Sequence, residues 1–217
     1  MIKTMSKARI FLADQRSLQQ SASLRRWSTL TENRMCFLNE ELLAGGQKTC
    51  FAVEKNSYII ILPITGSLMY LDDSENETDV NVEEAIIVYV EKNADITLCN
   101  PFQNDIINYL CIGIEAEEPM PNNPRFFNFD LSHQNHFHPI STPDLPFELN
   151  IGRFEGRKEA ICELKNDFQL FAFVITGAFE IEGRLVHEKD GLMLWDTETV
   201  ELEALSSNAV VLTLAMV

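Results

Sequence analysis

The chain has 217 residues and a formal net charge of −16 at pH 7, because 33 Asp and Glu outnumber 17 Lys and Arg. Hydrophobic residues make up 46% and charged residues 23% of the sequence, a composition that supports a folded core and argues against disorder. Nucleic acids and anionic membranes attract basic surfaces, so this charge excludes both from the expected partners.

Targeting segments and cysteines predict the compartment. No apolar run reaches the roughly 20 residues needed to cross a bilayer. The N-terminus lacks the apolar stretch and the small-residue cleavage site of a signal peptide. The five cysteines are scattered without a Cys-x-x-Cys spacing, which indicates buried free thiols in a reducing compartment. The expected location is the cytoplasm.

The first fifty residues differ from the remainder of the chain. A modest helical period over residues 17–30 predicts a helix that packs inside or outside a β-barrel. No later window holds a persuasive helical period. Beyond this segment the strands are short, rich in Ile, Val, Phe and Tyr, and separated by Gly, Asn and Asp turns. This pattern is typical of an antiparallel sandwich or barrel.

The most informative feature is an internal duplication. Residues 60–70 (IILPITGSLMY) are echoed by residues 171–181 (FAFVITGAFEI), each an apolar strand, an Ile-Thr-Gly turn and an alternating strand. The same order of further strands follows in both halves, with different loop lengths. The paired strands are predicted at 85–90 and 191–195, at 95–99 and 199–204, and at 107–114 and 209–216. The fold class is therefore all-β, with two similar barrels in tandem.

A proline-rich segment separates the halves. Residues 119–124 (PMPNNP) cannot form the interior of a strand or helix, and residues 125–148 read as irregular. The predicted organisation is an N-terminal segment plus a first barrel over 1–118, a linker over 119–146 and a second barrel over 147–217.

Tandem barrels of this kind suggest a bicupin, and several motifs resemble the pirin family of the cupin superfamily. The similar segments are ADQR at 13–16, WSTL at 27–30, FLNEE at 37–41, the strand pair at 58–73, NP at 100–101 and YLCI at 109–112. The resemblance covers nearly the whole chain. It implies two antiparallel barrels of the double-stranded β-helix type, also called jelly rolls.

The resemblance also implies a mononuclear metal, usually iron, held by three His and one Glu in the first barrel, and quercetinase-type dioxygenase activity in some members. Counted back from the turn glycine, the first His pair and the Glu fall near Ala52, Glu54 and Tyr58, and the third His falls near Ile96. No histidine precedes His133, so an imidazole site for iron or copper cannot be built there. The expected metal site is therefore absent, and no cofactor is predicted.

Thiol and carboxylate groups near the same positions offer a different donor set. Cys50, Glu54 and Cys99 could approach one another and bind zinc, although small buried thiols are the more ordinary interpretation. If Glu54 faces inward, it lines a polar cavity or needs a buried partner. The predicted ligand-binding positions of the first-barrel cavity are Cys50, Ala52, Glu54, Tyr58 and Ile96.

His133, His136 and His138 form the one histidine cluster in the sequence, in a segment that reads as an irregular surface loop. Metal binding there is conceivable, since imidazole is a common metal ligand. In the second barrel the positions equivalent to the metal ligands fall near Glu163, Lys165 and Gln169, and this barrel is expected to be empty. A small basic cluster is expected to pair with surface glutamates: Arg153, Arg157 and Lys158.

Two functions remain open. The preferred hypothesis is a pirin-like bicupin without its metal, which binds a small molecule or a protein partner and does not catalyse a reaction. The alternative is an enzyme, either a metal-dependent quercetinase-type dioxygenase with an unusual ligand set or a cupin enzyme that uses Glu54 or Tyr58 as acid or base. No catalytic residue is assigned.

Overall fold

The computed structural model of the chain describes residues 6–30, 34–72, 76–118, 123–165 and 167–216. No helix in these ranges is long and apolar enough to cross a membrane. A short 3₁₀-helix lies at Ala13–Gln15, and all other regular elements there are strands. The strands are β1 (Lys7–Phe11), β2 (Ser17–Gln20), β3 (Leu24–Leu30), β4 (Met35–Leu43), β5 (Lys48–Ala52), β6 (Ser57–Thr65), β7 (Leu68–Leu71), β8 (Glu77–Val80), β9 (Glu84–Val90), β10 (Asp95–Cys99), β11 (Ile107–Glu115), β12 (Arg125–Asn128), β13 (His136–Pro139), β14 (Phe147–Phe154), β15 (Glu159–Glu163), β16 (Gln169–Thr176), β17 (Ala178–Ile181), β18 (Arg184–His187), β19 (Gly191–Trp195), β20 (Thr199–Ala204) and β21 (Ala209–Met216).

The chain divides into two compact units. The first unit is Arg16–Asn128, and the second unit consists of Met1–Gln15 and Phe129–Val217. The first unit contains a seven-stranded sheet in the order β12-β9-β6-β11-β4-β3-β2 and a four-stranded sheet in the order β5-β10-β7-β8. The second unit contains a six-stranded sheet in the order β1-β19-β16-β21-β14-β13 and a four-stranded sheet in the order β15-β20-β17-β18.

The two units repeat one topology, as the sequence duplication predicts. The order β9-β6-β11-β4 in the first unit corresponds to β19-β16-β21-β14 in the second, and the two four-stranded sheets also correspond strand by strand. Every strand pairing in the described residues is antiparallel. The predicted all-β antiparallel fold class is confirmed.

The Ile-Thr-Gly turns of the repeat need glycine for two reasons. Gly66 has a φ of 77° and Gly177 a φ of 81°, in the left-handed region that side chains disfavour. A Cβ atom on Gly66 would lie 2.6 Å from Cγ2 of Ile107, and one on Gly177 would lie 2.4 Å from Oγ of Ser206. Gly66 and Gly177 therefore occupy corresponding turns of the two units.

Each unit has its own apolar interior, built from alternate residues of both sheets because successive side chains of a strand point to opposite faces. The first cluster contains Leu43, Val53, Ile59, Ile61, Leu68, Tyr70, Val80, Ile86, Val88, Val90, Ile96, Leu98, Ile107, Tyr109 and Cys111. The second cluster contains Phe154, Leu170, Ala172, Val174, Phe179, Ile181, Val186, Leu192, Leu194, Val200, Leu202, Ala204, Ala209, Val211 and Ala215.

The helix predicted over residues 17–30 is wrong. This segment forms the hairpin of β2 and β3, in which the Ser21 hydroxyl accepts a hydrogen bond from the Leu24 amide at 3.1 Å. Strand β3 pairs with β4 along its whole length, from Leu24 opposite Leu43 to Leu30 opposite Phe37. Sheet pairing with a distant strand therefore overrides a weak local helical period.

The domain boundaries also differ from those predicted. Strand β1 pairs with β19 in the second unit, and the Ala13 amide donates to Oδ1 of Asp190 at 2.7 Å, so the residues before Arg16 belong to the second unit and not to the first. Within the predicted linker, β12 pairs with β9 of the first unit and β13 with β14 of the second. Parts of each predicted segment lie outside the described residues: 1–5, 31–33 and 73–75 of the first, 119–122 of the linker, and 166 and 217 of the second barrel.

Candidate functional site

The structure separates the positions predicted to line a cavity in the first barrel. Phe51 packs against the interior cluster of the first unit and Val53 belongs to it. Cys50, Ala52 and Glu54 alternate with these two residues and are exposed. Glu54 therefore faces solvent, as alternation along an extended segment requires.

The two remaining predicted positions lie apart from each other. Tyr58 is buried on β6, where its ring contacts that of Tyr89 edge to face with 6.0 Å between the centroids. Its neighbour Ile59 belongs to the interior cluster, so Tyr58 lies on the opposite face of the sheet. Ile96 belongs to the interior cluster. The structure does not bring the five positions together, and their ligand-binding role stays a prediction.

The interior side of strands β5 and β10, on which the resemblance expects metal ligands, carries hydrocarbon side chains. Strand β5 and the residue after it contribute Phe51 and Val53, and strand β10 contributes Ile96 and Leu98. None of these side chains offers a lone pair to a metal. In the part of the chain that the structure describes, no group of three or more His, Cys, Asp or Glu is placed to hold a metal ion. Among the described residues, the side chains at these positions therefore do not fit the three-His, one-Glu iron centre that the family resemblance implies.

The cysteines are more accessible than predicted. All five are free. Cys111 is buried, Cys36, Cys99 and Cys162 are half-buried, and Cys50 is exposed. Strand alternation explains this, because Cys50 and Cys99 occupy the outward-facing positions of β5 and β10.

A row of polar side chains crosses the interior face of the seven-stranded sheet. Arg26 on β3 donates from Nε to Oε1 of Glu41 on β4 at 2.7 Å, and the hydroxyl of Tyr109 on β11 donates to Oε2 of Glu41 at 2.6 Å. The Glu41 side chain is 0% exposed and that of Arg26 is 16% exposed. The guanidinium of Arg26 also lies over the ring of Phe51, 5.6 Å from its centroid. A charged pair thus lies within an otherwise apolar interior.

Burial and the Glu41 carboxylate set the protonation states beside this pair. Burial first, and then the negative charge of Glu41, raises the pKa of Tyr109 well above its usual value of 10.0. The same two causes, in the same order, raise the pKa of the Cys111 thiol well above 9.0. Tyr109 and Cys111 therefore stay protonated and neutral at physiological pH, and Glu41 accepts the Tyr109 proton in a hydrogen bond.

A second ion pair lies on the opposite face of the same sheet. Arg16 donates from Nη1 to Oε2 of Glu40 at 3.0 Å and from Nη2 to the carbonyl oxygen of Trp27 at 2.8 Å. The amide of Asn108 donates to Oε1 of Glu40 at 3.3 Å. Arg16, Trp27 and Glu40 come from the three N-terminal motifs that resemble the pirin family. The sequences of these motifs resemble a family but do not predict that Arg16, Trp27 and Glu40 meet in one buried network.

The second unit has two concave surfaces that the sequence did not predict. One, of about 590 Å³, lies on the four-stranded sheet and is lined by Glu159, Glu180, Glu182, Glu201 and Glu203 together with apolar residues. The other, of about 1080 Å³, is lined by Lys165, Asp167, Phe168, Gln169, Trp195, Asp196, Thr197, Glu198 and Thr199. Lys165 and Gln169 were expected near the vacant ligand positions of the second barrel. Here they line an open surface with two aromatic side chains.

The basic cluster is partly explained by pairing. Arg157 donates from Nη1 to Oε1 of Glu203 at 2.9 Å, as predicted, whereas Arg153 donates to Oδ1 of Asn208 at 2.7 Å.

Part of the histidine segment, which was predicted to be an irregular surface loop, forms a β-strand. His136 and His138 lie on strand β13, and their ring centroids are 4.3 Å apart. The nitrogen Nδ1 of His133 lies 2.8 Å from Oδ2 of Asp130.

The chain is similar to known cupin proteins in part of its sequence and in its fold. Residues 147–216 match the family model described as the quercetinase C-terminal cupin domain. No curated protein sequence matches the chain. Among solved structures, YhhW from Escherichia coli superposes with a TM-score of 0.84 at 18% identity, over 97% of this chain and 98% of that one. Quercetin 2,3-dioxygenase from Acinetobacter baumannii superposes with a TM-score of 0.76 at 10% identity, over 98% of this chain and 87% of that one.

A second similar structure is that of the bacterial pirin YhhW from Escherichia coli in complex with nickel(II). It superposes with a TM-score of 0.82 at 18% identity, over 97% of this chain and 99% of that one. At these identities the superpositions establish the fold. They do not transfer the metal, because the positions implied by the family carry other side chains in this chain.

Proposed function

We propose that the chain is a pirin-like bicupin, given the match of residues 147–216 to the quercetinase C-terminal cupin domain, and that it is a binding and regulatory protein without catalytic activity. The observation that carries this proposal is the interior of the first unit, where Phe51, Val53 and Ile96 present hydrocarbon side chains along the strands on which the resemblance expects metal ligands. A metal-dependent oxygenase needs donors there to bind and activate oxygen.

The polar groups of this interior also support binding over catalysis. Glu41 already accepts hydrogen bonds from Arg26 and Tyr109, and Tyr109 keeps its proton because burial and Glu41 raise its pKa. A general base needs a free lone pair within reach of a substrate proton, and Glu41 has both oxygens engaged and no exposed surface.

The open surface of the second unit is the proposed ligand contact. Phe168 and Trp195 supply aromatic surface, and Lys165 lies with its ammonium nitrogen 5.6 Å from the Phe168 ring centroid. Ligand sites commonly combine aromatic walls with a few charged groups. This surface suits a flat small molecule or an aromatic side chain of a protein partner, and the proposed setting is the cytoplasm, with neither nucleic acid nor membrane as a partner.

The alternative is a quercetinase-type dioxygenase with an unusual ligand set. The match of residues 147–216 to a quercetinase domain favours it, as does the likeness of the whole fold to quercetin 2,3-dioxygenase. This alternative requires donors other than those at the family's positions.

Elemental analysis combined with oxygen uptake distinguishes the two functions. The untagged full chain is reconstituted separately with Fe(II), Mn(II), Zn(II) and Ni(II), and oxygen consumption is followed with quercetin. The same measurements on the His136→Ala/His138→Ala variant remove any contribution from the histidine segment. We expect that variant to hold less than about a tenth of an equivalent of each metal and to consume no oxygen. An occupied protein metal site would instead hold close to one equivalent.

The opposite result would overturn the proposal. Near-stoichiometric iron in the double variant, with quercetin-dependent oxygen uptake that a chelator abolishes, would establish the enzyme.

A second experiment tests the proposed binding surface. The probe is anilinonaphthalene sulfonate, a flat aromatic anion, which is titrated into the Trp27→Phe variant so that Trp195 is the fluorophore. We expect Phe168→Ala to weaken binding about tenfold, as loss of an aromatic contact does, and Phe102→Ala, an exposed aromatic in the first unit, to leave it unchanged.

A further inference from the structure

The histidines of the second unit share one face of an edge strand. Strand β13 lies at the end of the six-stranded sheet and pairs with β14. Phe137 packs against the interior cluster, and its ring contacts that of Phe154 with 5.3 Å between the centroids. His136 and His138 flank Phe137 and therefore point to the other face, where their ring centroids are 4.3 Å apart. Packing of Phe137 thus fixes both imidazoles side by side.

Each of these rings has one nitrogen already held by a backbone carbonyl. Nδ1 of His136 lies 3.1 Å from the Gln134 oxygen, and Nε2 of His138 lies 3.1 Å from the His133 oxygen. A carbonyl oxygen can only accept, so both of these ring nitrogens donate a proton. Nε2 of His136 and Nδ1 of His138 consequently carry the lone pairs. Metal-binding histidines are commonly oriented in this way, with the second nitrogen donating to an oxygen.

A third imidazole lies in the same segment. The His133 ring pairs through Nδ1 with Oδ2 of Asp130, and the Ser132 amide donates to Oδ1 of Asp130 at 2.8 Å. These hydrogen bonds lower the pKa of Asp130, with the Ser132 bonds as the largest cause and His133 as a further one. His133 is therefore close to the pair in the chain, with Nε2 available and a carboxylate behind its ring.

We propose that His136 and His138 form a chelating site for a divalent transition metal, with Cu²⁺ bound most tightly, and that His133 is the third available ligand. Among the described residues no three donors are already placed around one position. His136 and His138 therefore supply two ligands, and water or His133 completes the coordination of the metal. Imidazole suits Cu²⁺, Ni²⁺ and Zn²⁺, and a given nitrogen site prefers Cu²⁺ over both others. The site is independent of the proposed binding function and of the metal position in the first unit.

Arg153 places a positive charge beside this site. It lies directly across from His136 in the pairing of β13 with β14, on the same face of the sheet. Its guanidinium donates to Oδ1 of Asn208 at 2.7 Å. A positive charge beside a bound cation weakens binding, so replacing Arg153 by a neutral residue should strengthen it.

The test is calorimetric titration of the untagged full chain with Cu²⁺, Ni²⁺ and Zn²⁺, together with electron paramagnetic resonance of the Cu²⁺ form. We expect one tight site, affinities that rank Cu²⁺ above Ni²⁺ and Zn²⁺, and a signal that shows nitrogen ligands. The His136→Ala/His138→Ala variant should lose about a hundredfold or more in Cu²⁺ affinity, and His133→Ala about tenfold. Arg153→Gln should bind Cu²⁺ a few times more tightly than the wild type.

The matched control is His187→Ala, which removes an exposed histidine at the end of β18 outside the cluster and should leave affinity unchanged. Circular dichroism of each variant checks that the fold is retained. Cu²⁺ affinity of the double variant equal to that of the wild type would overturn the proposal. An equal loss in His187→Ala, or a copper signal without nitrogen ligands, would overturn it as well.

Discussion

Arg26 and Glu41 form a charged pair inside the first unit, with Nε of Arg26 and Oε1 of Glu41 2.7 Å apart and the carboxylate fully buried. The hydroxyl of Tyr109 completes the hydrogen bonding of Glu41. Burial removes both charges from water, and each partner then compensates the other. The pair sits on neighbouring strands of the sheet whose opposite face holds the Arg16–Glu40 pair, so the N-terminal motifs supply buried charges to both faces.

Replacing Glu41 by Gln should destabilise the first unit by about 3–5 kcal/mol, because Arg26 then remains as an uncompensated buried charge. The measurement is urea unfolding followed by fluorescence in the Trp195→Phe background, in which Trp27 reports on the first unit. The control is Lys55→Met, which breaks the solvent-exposed pair with Glu115 and should cost less than about 1 kcal/mol. A Glu41→Gln protein within about 1 kcal/mol of the wild type would contradict this interpretation of the pair.

Tyr109 should make the stability of the first unit fall at alkaline pH. Its pKa is raised in the folded state by burial and by Glu41, so above about pH 10 the unfolded chain releases a proton that the folded chain retains. The free energy of unfolding is therefore insensitive to this group below that pH and decreases as pH rises further. Urea unfolding between pH 8 and 11 should show a shallower decline in Tyr109→Phe than in the wild type.

Ultraviolet absorbance gives an independent check of the same group. Native wild type and Tyr109→Phe should show equal phenolate absorbance at pH 10, where an ordinary tyrosine is about half ionised, because burial and Glu41 keep Tyr109 protonated in the folded state. A larger phenolate signal in the native wild type would show that Tyr109 ionises near its ordinary pKa.

The repeat glycines provide a prediction with matched controls. Gly66→Ala should destabilise by about 2–4 kcal/mol, because a left-handed φ and a contact of 2.6 Å with Ile107 both oppose the added methyl group. Gly46→Ala, with a φ of 65° and nothing within 4 Å of the new atom, should cost only the backbone strain of about 1–2 kcal/mol. In the second unit, Gly177 is the corresponding position with a close contact, and Gly183 is its control, with nothing within 4 Å of the new atom.

Urea unfolding of the four glycine variants makes the comparison, with each clashing position measured against its open control. Equal losses within each pair would show that the close approach to Ile107 or Ser206 carries no cost beyond the backbone strain.

Cysteine reactivity should follow burial. Burial raises the pKa of Cys162 to about 11, and Cys111 is raised well above 9.0 by burial and Glu41, so both are almost entirely thiols at pH 8. Cys50 is exposed and should react first with a chromogenic disulfide reagent. Cys50→Ser should remove the fast phase, whereas Cys162→Ser should leave it unchanged. Fast labelling of Cys111 or Cys162 in the native protein, identified by peptide mass, would contradict the burial of these thiols.

The strands and the duplication were predictable from the sequence. Alternating or continuous apolar runs such as 191–195, 199–204 and 209–216 become strands with the same bounds, because side-chain period and the need to bury one face are local properties of the chain. The absence of histidine before His133 is likewise a property of the sequence, and it restricts the metal chemistry that residues 1–132 can support.

Tertiary structure decided the facing of side chains and the partners of the N-terminal strands. A shift of one residue in register exchanges Phe51 and Val53 for Ala52 and Glu54, and the sequence alone does not set that register. Strand β1 pairs with β19 some 180 residues away, and residues 17–30 become strands only because β4 is beside them. The Arg26–Glu41–Tyr109 row and the paired His136 and His138 rings arise from such long-range pairing and packing, since a sheet brings together residues that no local pattern connects.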